Sequence, residues 1–296
     1  MAVDANTITS DKLVASSIDF VEQFSDNVST LLSAMGHVRM HPMASGSLIQ
    51  TYKTEVTPAS SRTVAEGETI PLSMVKRTKD KQYELTLTDK LRKLITFEAI
   101  QRDGLDRALT MTDTKLLGIA QKNAKTDFFG ALTGKGTTTT TGQGLQMALS
   151  KGLGKVATLF EDTNNVGTTI AYANPDDVFQ YVGAATITVQ TAFGLKYIQN
   201  FLNVDVIFLT SAIPAGKVVL TVGNNINFYY VDMRGEAGRN FNMTVDETGL
   251  IGVTHSQLQD SLSIQTIVAG GWLMLPERTD GIVTSTIGTS SSLSSK

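Results

Sequence analysis

Three histidines, His37, His41 and His255, are the whole imidazole supply of this 296-residue chain, and it has no cysteine. The missing thiols exclude disulfides, thiolate zinc sites, iron–sulfur clusters and a cysteine nucleophile. His37 and His41 stand four residues apart, a spacing that could bring two imidazoles to one helix face. Gly36 and Pro42 flank them, and two ligands make no metal site without a third and a fourth. They read as turn residues behind a first helix. His255 follows LIGVT and precedes Ser256, and no motif sets an acid or a nucleophile beside it, so no Ser–His–Asp arrangement is read. The stretch Gly130 to Gly144 is glycine-rich. Gly134-Lys135 lacks the upstream glycine spacing and the preceding strand of a phosphate loop, so it reads as a hinge or surface loop. Asn174-Pro175-Asp176-Asp177 offers two adjacent carboxylates, but adjacent helix positions diverge in direction. It reads as a helix start: Asn caps, Pro takes the first turn, and two acids meet the positive helix end. No catalytic, cofactor-binding or metal-ligating set emerges, and the chain reads as a non-enzyme without a cofactor.

The remaining chemistry is charge. Lys76, Arg77, Lys79 and Lys81, then Lys90, Arg92 and Lys93, form a basic run, offset by Asp80, Glu84 and Asp89. Three readings stand. It contacts nucleic acid, it contacts an acidic surface of a neighbour, or it is a solvated hairpin edge whose lysines discourage edge-to-edge pairing. Glu66 and Glu68 make a nearby acidic spot, and a tip of one sign beside a stem of the other suits docking on a neighbour. Lys and Arg total 25 against 28 for Asp and Glu, a net charge of −3. A dedicated nucleic-acid binder carries a basic excess, and there is none. With 41% hydrophobic and 18% charged residues the composition is globular. No apolar run reaches membrane-spanning length, and MAVDANTITSDK is no secretory signal.

The elements that would carry these residues follow from periodicity. After a polar lead over residues 1–10, Val14, Val21, Val28 and Met35 recur every seven residues, with Ile18, Phe24 and Leu31 between them. That is an amphipathic helix stopping at Gly36. It packs either on its own domain or, as an arm, on a neighbouring subunit. From Leu48 to Ile95 the period becomes two. Leu48, Tyr52 and Val56 share one strand face, and Tyr83, Leu85 and Leu87 alternate with Glu84, Thr86 and Thr88. PASSRTVAEGETIPLSMVKRTKDK lies between them as an irregular tip. A long hairpin alone in water is marginal at best, so this segment needs a partner surface.

Helical spacing returns with FEAIQRD, ending near Gly104, and with a second helix expected from Thr112 or Asp113 through Leu117, Ala120, Ala124, Phe128 and Ala131. A flexible break is expected at TGKGTTTTTGQG, residues 133–144. Residues 145–222 then alternate: a helix from Leu145 to Phe160, the strand TTIAYA, the helix capped by Asn174, a helix over FGLKYIQNFL, and the strands DVIFLT and KVVLTV. INFYYVDM, NFNMTVDE, LSIQTIVAGGWLML and DGIVTSTI read as closing strands. Trp272 is expected in a core, and GTSSSLSSK as a disordered tail. The fold class is α+β.

The order of these parts, with AEGETIPLS in the hairpin, TDTKLLGIAQKNAKTDFFGAL in the long helix, and TSAIPAGKVVLTVGN, NINFYYVDMR and SIQTIVAGGWLMLPERTDGIV behind it, resembles the major capsid protein family of tailed bacteriophages, with the Hong Kong 97-type fold. The resemblance runs from about Asp11 to about Ile287. It implies an N-terminal arm (1–44), an extended E-loop hairpin (45–95), a P-domain spine-helix region (96–144), an A-domain (145–233), returning P-domain strands (234–287) and a tail (288–296). It implies a structural protein that assembles through hexamers and pentamers into an icosahedral shell around double-stranded DNA, held without sequence-specific binding. The location implied is the virion, after assembly in the host cytoplasm, with no membrane. An arm starting within the first dozen residues implies a separate scaffolding protein or a chain already trimmed, with the initial Met favouring the former, and the family implies a portal protein. Some relatives form Lys–Asn cross-links between subunits. Lys76, Lys79, Lys81, Asn240 and Asn242 lie in corresponding regions, but no acid for the reaction is identified and no cross-linking residue is carried over. The expected subunit interface is Val14, Ile18, Val21, Val28 and Met35 on the arm, with Glu66, Glu68, Lys76, Arg77, Lys79, Tyr83, Leu85 and Leu87 on the hairpin. Asp at both 21 and 28 is then expected to spare the monomer and block assembly. The competing readings are an encapsulin-like nanocompartment shell and a tail or baseplate protein.

Overall fold

The computed structural model describes residues 17–26, 28–29, 38–60, 63–133, 136, 138–161, 167–183, 188–192, 195–245 and 248–288. Val14, Leu31, Met35, Gly36, His37 and the tail lie outside them. Residues 17–26 and 28–29 are helical and form α1. Next come β1 (Arg39–Met43), the long pair β2 (Ser47–Thr57) and β3 (Met74–Leu85), β4 (Asp89–Thr96), α2 (Phe97–Asp103) and α3 (Leu105–Thr133). An α/β stretch contains β5 (Thr138–Gln143), α4 (Gly144–Phe160), β6 (Thr169–Ala173), α5 (Pro175–Val182), β7 (Gln190–Ala192), β8 (Leu195–Phe201), β9 (Val204–Leu209) and β10 (Lys217–Val222). The chain closes with β11 (Ile226–Val231), α6 (Glu236–Asn240), β12 (Ile251–Leu258), β13 (Ser263–Gly270), β14 (Trp272–Pro276) and β15 (Val283–Gly288).

Several elements start and stop for local reasons. The Thr96 hydroxyl accepts from the Ala99 amide to cap α2, and Gly104, at φ 77°, closes it. The Asn174 side chain accepts from the Asp176 amide with Pro175 in the first turn of α5, as its sequence demands. The Asp177 carboxylate goes on to accept from the Gly216 amide at 2.8 Å, tying the helix start to the turn before β10.

Four expectations change. The long helix begins at Leu105, not at Thr112 or Asp113. Thr112 sits inside it, its hydroxyl donating back to the Ala108 and Leu109 carbonyls. FGLKYIQNFL is not a helix: 195–201 is strand β8, paired antiparallel with β9 across a turn where Leu202 and Asn203 both have positive φ. A short apolar run fits either period, and sheet pairing decided it. NFNMTVDE contributes the end of α6 and one isolated bridge, Thr244 to Val253, in place of a strand. Within the expected break at 133–144, the threonines Thr138–Thr141 build β5, as their branching favours. Gly142 is required there, because a Cβ would fall 2.3 Å from the Ala148 amide nitrogen of α4.

Four sheets result. A seven-stranded mixed sheet has the order β5-β15-β10-β6-β9-β8-β7, so β15 joins it from the far end of the chain. The antiparallel sheet β12-β13-β4 and the sheet β1-β11-β14, in which β1 runs parallel to β11, lie elsewhere, and β2 pairs with β3 alone. The largest core joins α1, α3, β6, β9, β11, β13 and β14, with Trp272 inside it. A second core lies under α4, whose Leu145, Leu149 and Val156 meet β6, β9 and β10.

Candidate interaction surface

The ribbon β2–β3 has two parts with different fates. At its base Ile49, Leu85 and the half-buried Tyr83 and Leu87 pack with Val231, Met233 and Leu275 of the same chain. A bulge between Gln50 and Tyr52 interrupts the pairing. Thr51 holds it: its hydroxyl donates to the Lys81 carbonyl and accepts from the Lys81 amide, each at 3.0 Å. The inward residue before the bulge is Ile49, while Leu48 points out. The regular alternation expected from Leu48 through Tyr52 to Val56 therefore fails. Beyond the base every residue of β3 from Met74 to Gln82 is exposed, so both faces of that strand meet solvent.

At the far end Gly67, at φ 89°, makes the turn. Glu66 and Glu68 are both exposed. The Glu68 carboxylate accepts from the Ala65 amide at 3.2 Å. Ile70, Leu72, Met74 and Val75 are 62% to 95% exposed. Lys76, Arg77 and Lys79 are exposed behind them, and the Arg77 guanidinium lies 4.1 Å from the Tyr52 ring centroid. An acidic turn, an apolar patch and a cationic stem thus follow one another along one ribbon. The apolar patch was readable in IPLSMV, an apolar run set in a polar tip.

The other expected interface residues are placed differently. Val21 and Val28 are 1% and 6% exposed and lie in the chain's own core, with Phe20 and Phe24 beside them. Phe24 stacks on Trp272 at 5.9 Å. The same chain already covers these two valines. Leu85 is covered in the same way, at 1% exposure. Ile18 faces outward from α1. Val14 and Met35 lie outside the described residues.

A buried polar cluster, which no motif announced, lies under α1. His255, Thr266 and Lys93 stand directly opposite one another across β12, β13 and β4. The Ser17 hydroxyl contacts His255 Nδ1 from α1, and Asp113 Oδ2 lies 3.3 Å from His255 Nε2 from α3. Lys93 Nζ is in direct contact with Asp113 Oδ1 and donates to the Thr112 hydroxyl. Burial pulls the Lys93 ammonium below its ordinary range, and its bond to Asp113 pushes the other way. One signal could have pointed to Asp113: it stands four residues before Leu117 on the stripe that continues through Ala120 and Ala124. A Ser, a His and an Asp do meet here, against expectation. Ser17, the His255 ring and Asp113 are all buried. His41 is unconnected to this cluster, stacking on Tyr229 and bonding Asn227. Among the described residues no helix is long and apolar enough to cross a membrane.

No family model matches the chain, and no curated protein matches its sequence. Solved structures match over most of it. The holo-SrpI encapsulin complex from Synechococcus elongatus PCC 7942 aligns with 100% of this chain and 95% of its own, at TM-score 0.56 and 10% identity. The mature capsid of bacteriophage PhiM1 aligns over 86% of each chain, at TM-score 0.56 and 9% identity. The capsid of cyanophage P-SCSP1u covers 86% of this chain and 87% of its own, at TM-score 0.52 and 11% identity. The fold is that of phage capsid and encapsulin proteins. At such identities what is shared is the order and pairing of elements. In this shell-protein fold the ribbon leaves the body with its apolar tip uncovered, while α1 is folded back against the body.

Proposed function

We propose that this chain is the major capsid protein of a tailed phage. It assembles through hexamers and pentamers into an icosahedral shell around double-stranded DNA. One observation carries the reading within the shell-protein fold: a two-stranded ribbon standing off the body with Ile70, Leu72, Met74 and Val75 exposed at its tip. A ribbon of this length with no private core needs a second surface, and obligate assemblies supply large ones. Residues 45–95 act as the E-loop, 96–144 as the spine-helix region, 145–233 as the A-domain and 234–287 as the returning strands. The shell holds DNA through geometry, and the net charge of −3 leaves no basic excess to grip it. A separate scaffolding protein and a portal complete the assembly in the host cytoplasm, and the product is the virion head. The role is structural, not enzymatic.

A second reading is kept because the encapsulin aligns with the whole of this chain: the shell encloses protein cargo in place of a genome. Electron microscopy of the purified chain over a concentration series tests both. Closed shells or hexamer arrays support a shell protein, and rings or tubes point to a tail component. Nuclease-protected DNA inside shells recovered from the native source supports the phage reading, and a packaged protein supports the nanocompartment. A chain that stays monomeric at every concentration, also beside its scaffolding protein, overturns both.

A further inference from the structure

We infer that Lys93 and Asp113 are the two halves of an intramolecular amide cross-link that joins β4 to α3. The two groups meet head on: Lys93 Nζ touches Asp113 Oδ1, at the end of a lysine side chain 13% exposed and an aspartate side chain 9% exposed. An ordinary surface ion pair holds two mobile, hydrated chains. Here Nζ is fixed by the Thr112 hydroxyl and the Leu109 carbonyl, and Asp113 is fixed by His255 from the opposite side. Such fixation turns the encounter of amine and carboxyl into a standing contact, the condition under which a slow intramolecular reaction proceeds. Burial pulls the Lys93 ammonium toward the uncharged amine, and the uncharged amine is the nucleophile.

The step balances without a co-reactant. The Lys93 ammonium passes one proton to the Asp113 carboxylate, giving amine and carboxylic acid. Nζ attacks the Asp113 carboxyl carbon, and an N–C bond forms. His255 Nε2, beside the second carboxyl oxygen, takes a proton from the nitrogen and returns it to the departing hydroxyl. The C–OH bond breaks and one water leaves. An ammonium and a carboxylate become one neutral amide plus water, with no oxidant or reductant. Thr266, between His255 and Lys93 in the sheet, has a buried hydroxyl with no hydrogen-bond partner among the described residues, a spare donor on the same sheet face. The product ties the strand that follows the ribbon base to the long helix, and so fixes the lever on which a docked tip would pull.

Intact-mass spectrometry of the denatured full-length chain tests this, whether or not it assembles. The expected mass is that of the sequence less one water. A protease digest is expected to yield one branched peptide joining the segments that hold Lys93 and Asp113. Lys93→Arg and Asp113→Ala should each restore the full mass, and His255→Ala should lower the linked fraction in freshly purified protein. A wild-type chain at full sequence mass, both fresh and after prolonged incubation at neutral pH, overturns the proposal. A missing water that persists in Lys93→Arg overturns it as well, because the loss then lies elsewhere.

Discussion

The arm helix α1 and the hairpin ribbon read alike in the sequence: each is an amphipathic excursion whose apolar face needs a cover. Their fates in the fold are opposite. Phe20, Val21, Phe24 and Val28 of α1 enter the largest core, with Phe24 on Trp272 and Ser17 against His255. The ribbon covers only its base, and its tip residues Ile70 and Leu72 stay bare. Amphipathicity therefore measures the demand for a partner surface and not whose surface meets it. The apolar face that the chain itself leaves uncovered is the better marker of assembly.

The hardest test of that contrast reverses the expectation drawn from the sequence. Val21→Asp with Val28→Asp places two charges in the core and should cost more than about 4 kcal/mol, enough to release α1 or unfold the subunit. Denaturant titration and a red-shifted Trp272 emission would show it. If that double variant kept wild-type stability and lost only assembly, the contrast would collapse and the arm would return to the interface. Leu72→Asp with Ile70→Asp should do the opposite. Monomer stability should stay within about 0.5 kcal/mol, while shells or arrays vanish at concentrations where the wild type forms them. Normal particles from this variant would remove the tip from the assembly surface.

A smaller effect sharpens the comparison where ribbon meets body. Asp89 opens β4 just past the ribbon base. It is buried, it accepts from the Asn123 amide at 3.0 Å, and its second oxygen has no hydrogen-bond partner among the described residues. Burial raises its carboxyl above 3.8, the Asn123 bond works against that, and the Asp127 charge adds to it. The protonated form is favoured in the fold, so this contribution to stability is greatest below pH 3.8 and declines as pH rises through the raised value. Asp89→Asn should abolish that decline when denaturation midpoints are followed from about pH 4 to 7. The smallest pair separates body from ribbon directly. Asn174→Ala removes the α5 cap and should lower global stability by about 1 kcal/mol. Arg77→Ala removes the cation over Tyr52 and should cost about 0.5 kcal/mol. That loss should appear as faster hydrogen exchange in β2–β3 with the unfolding midpoint unchanged.

Much of the architecture was legible. Thr96 with Gly104, and Asn174 with Pro175, carry their caps in the residues themselves, and α2 and α5 fall where those residues put them. The hairpin was legible from the period of two in Tyr83, Leu85 and Leu87 and from a tip punctuated by Pro58, Gly67 and Pro71. The β8 segment was not, because LKYIQNF satisfies a helical face as well as a strand, and only pairing with β9 chose between them. In the candidate surface the charges of Glu66, Glu68, Lys76, Arg77 and Lys79 were legible, and the bare apolar patch beside them was passed over. The cluster of Ser17, Lys93, Asp113 and His255 was invisible as a motif, since its members come from four elements spread over the chain.

The sequence by itself determined the local conformations and the demand for burial. Caps, turn glycines and apolar periods act over a few residues, and the absence of cysteine bounds the chemistry however the chain folds. Only the tertiary structure decided which apolar faces the chain covers, that Asp113 is a buried partner and not a helix cap, and that β15 crosses to the seven-stranded sheet. The physical reason is that hydrophobic burial is non-directional. A periodic stripe fixes which side chains share a face, while the surface that receives the face depends on contacts between residues far apart in the chain.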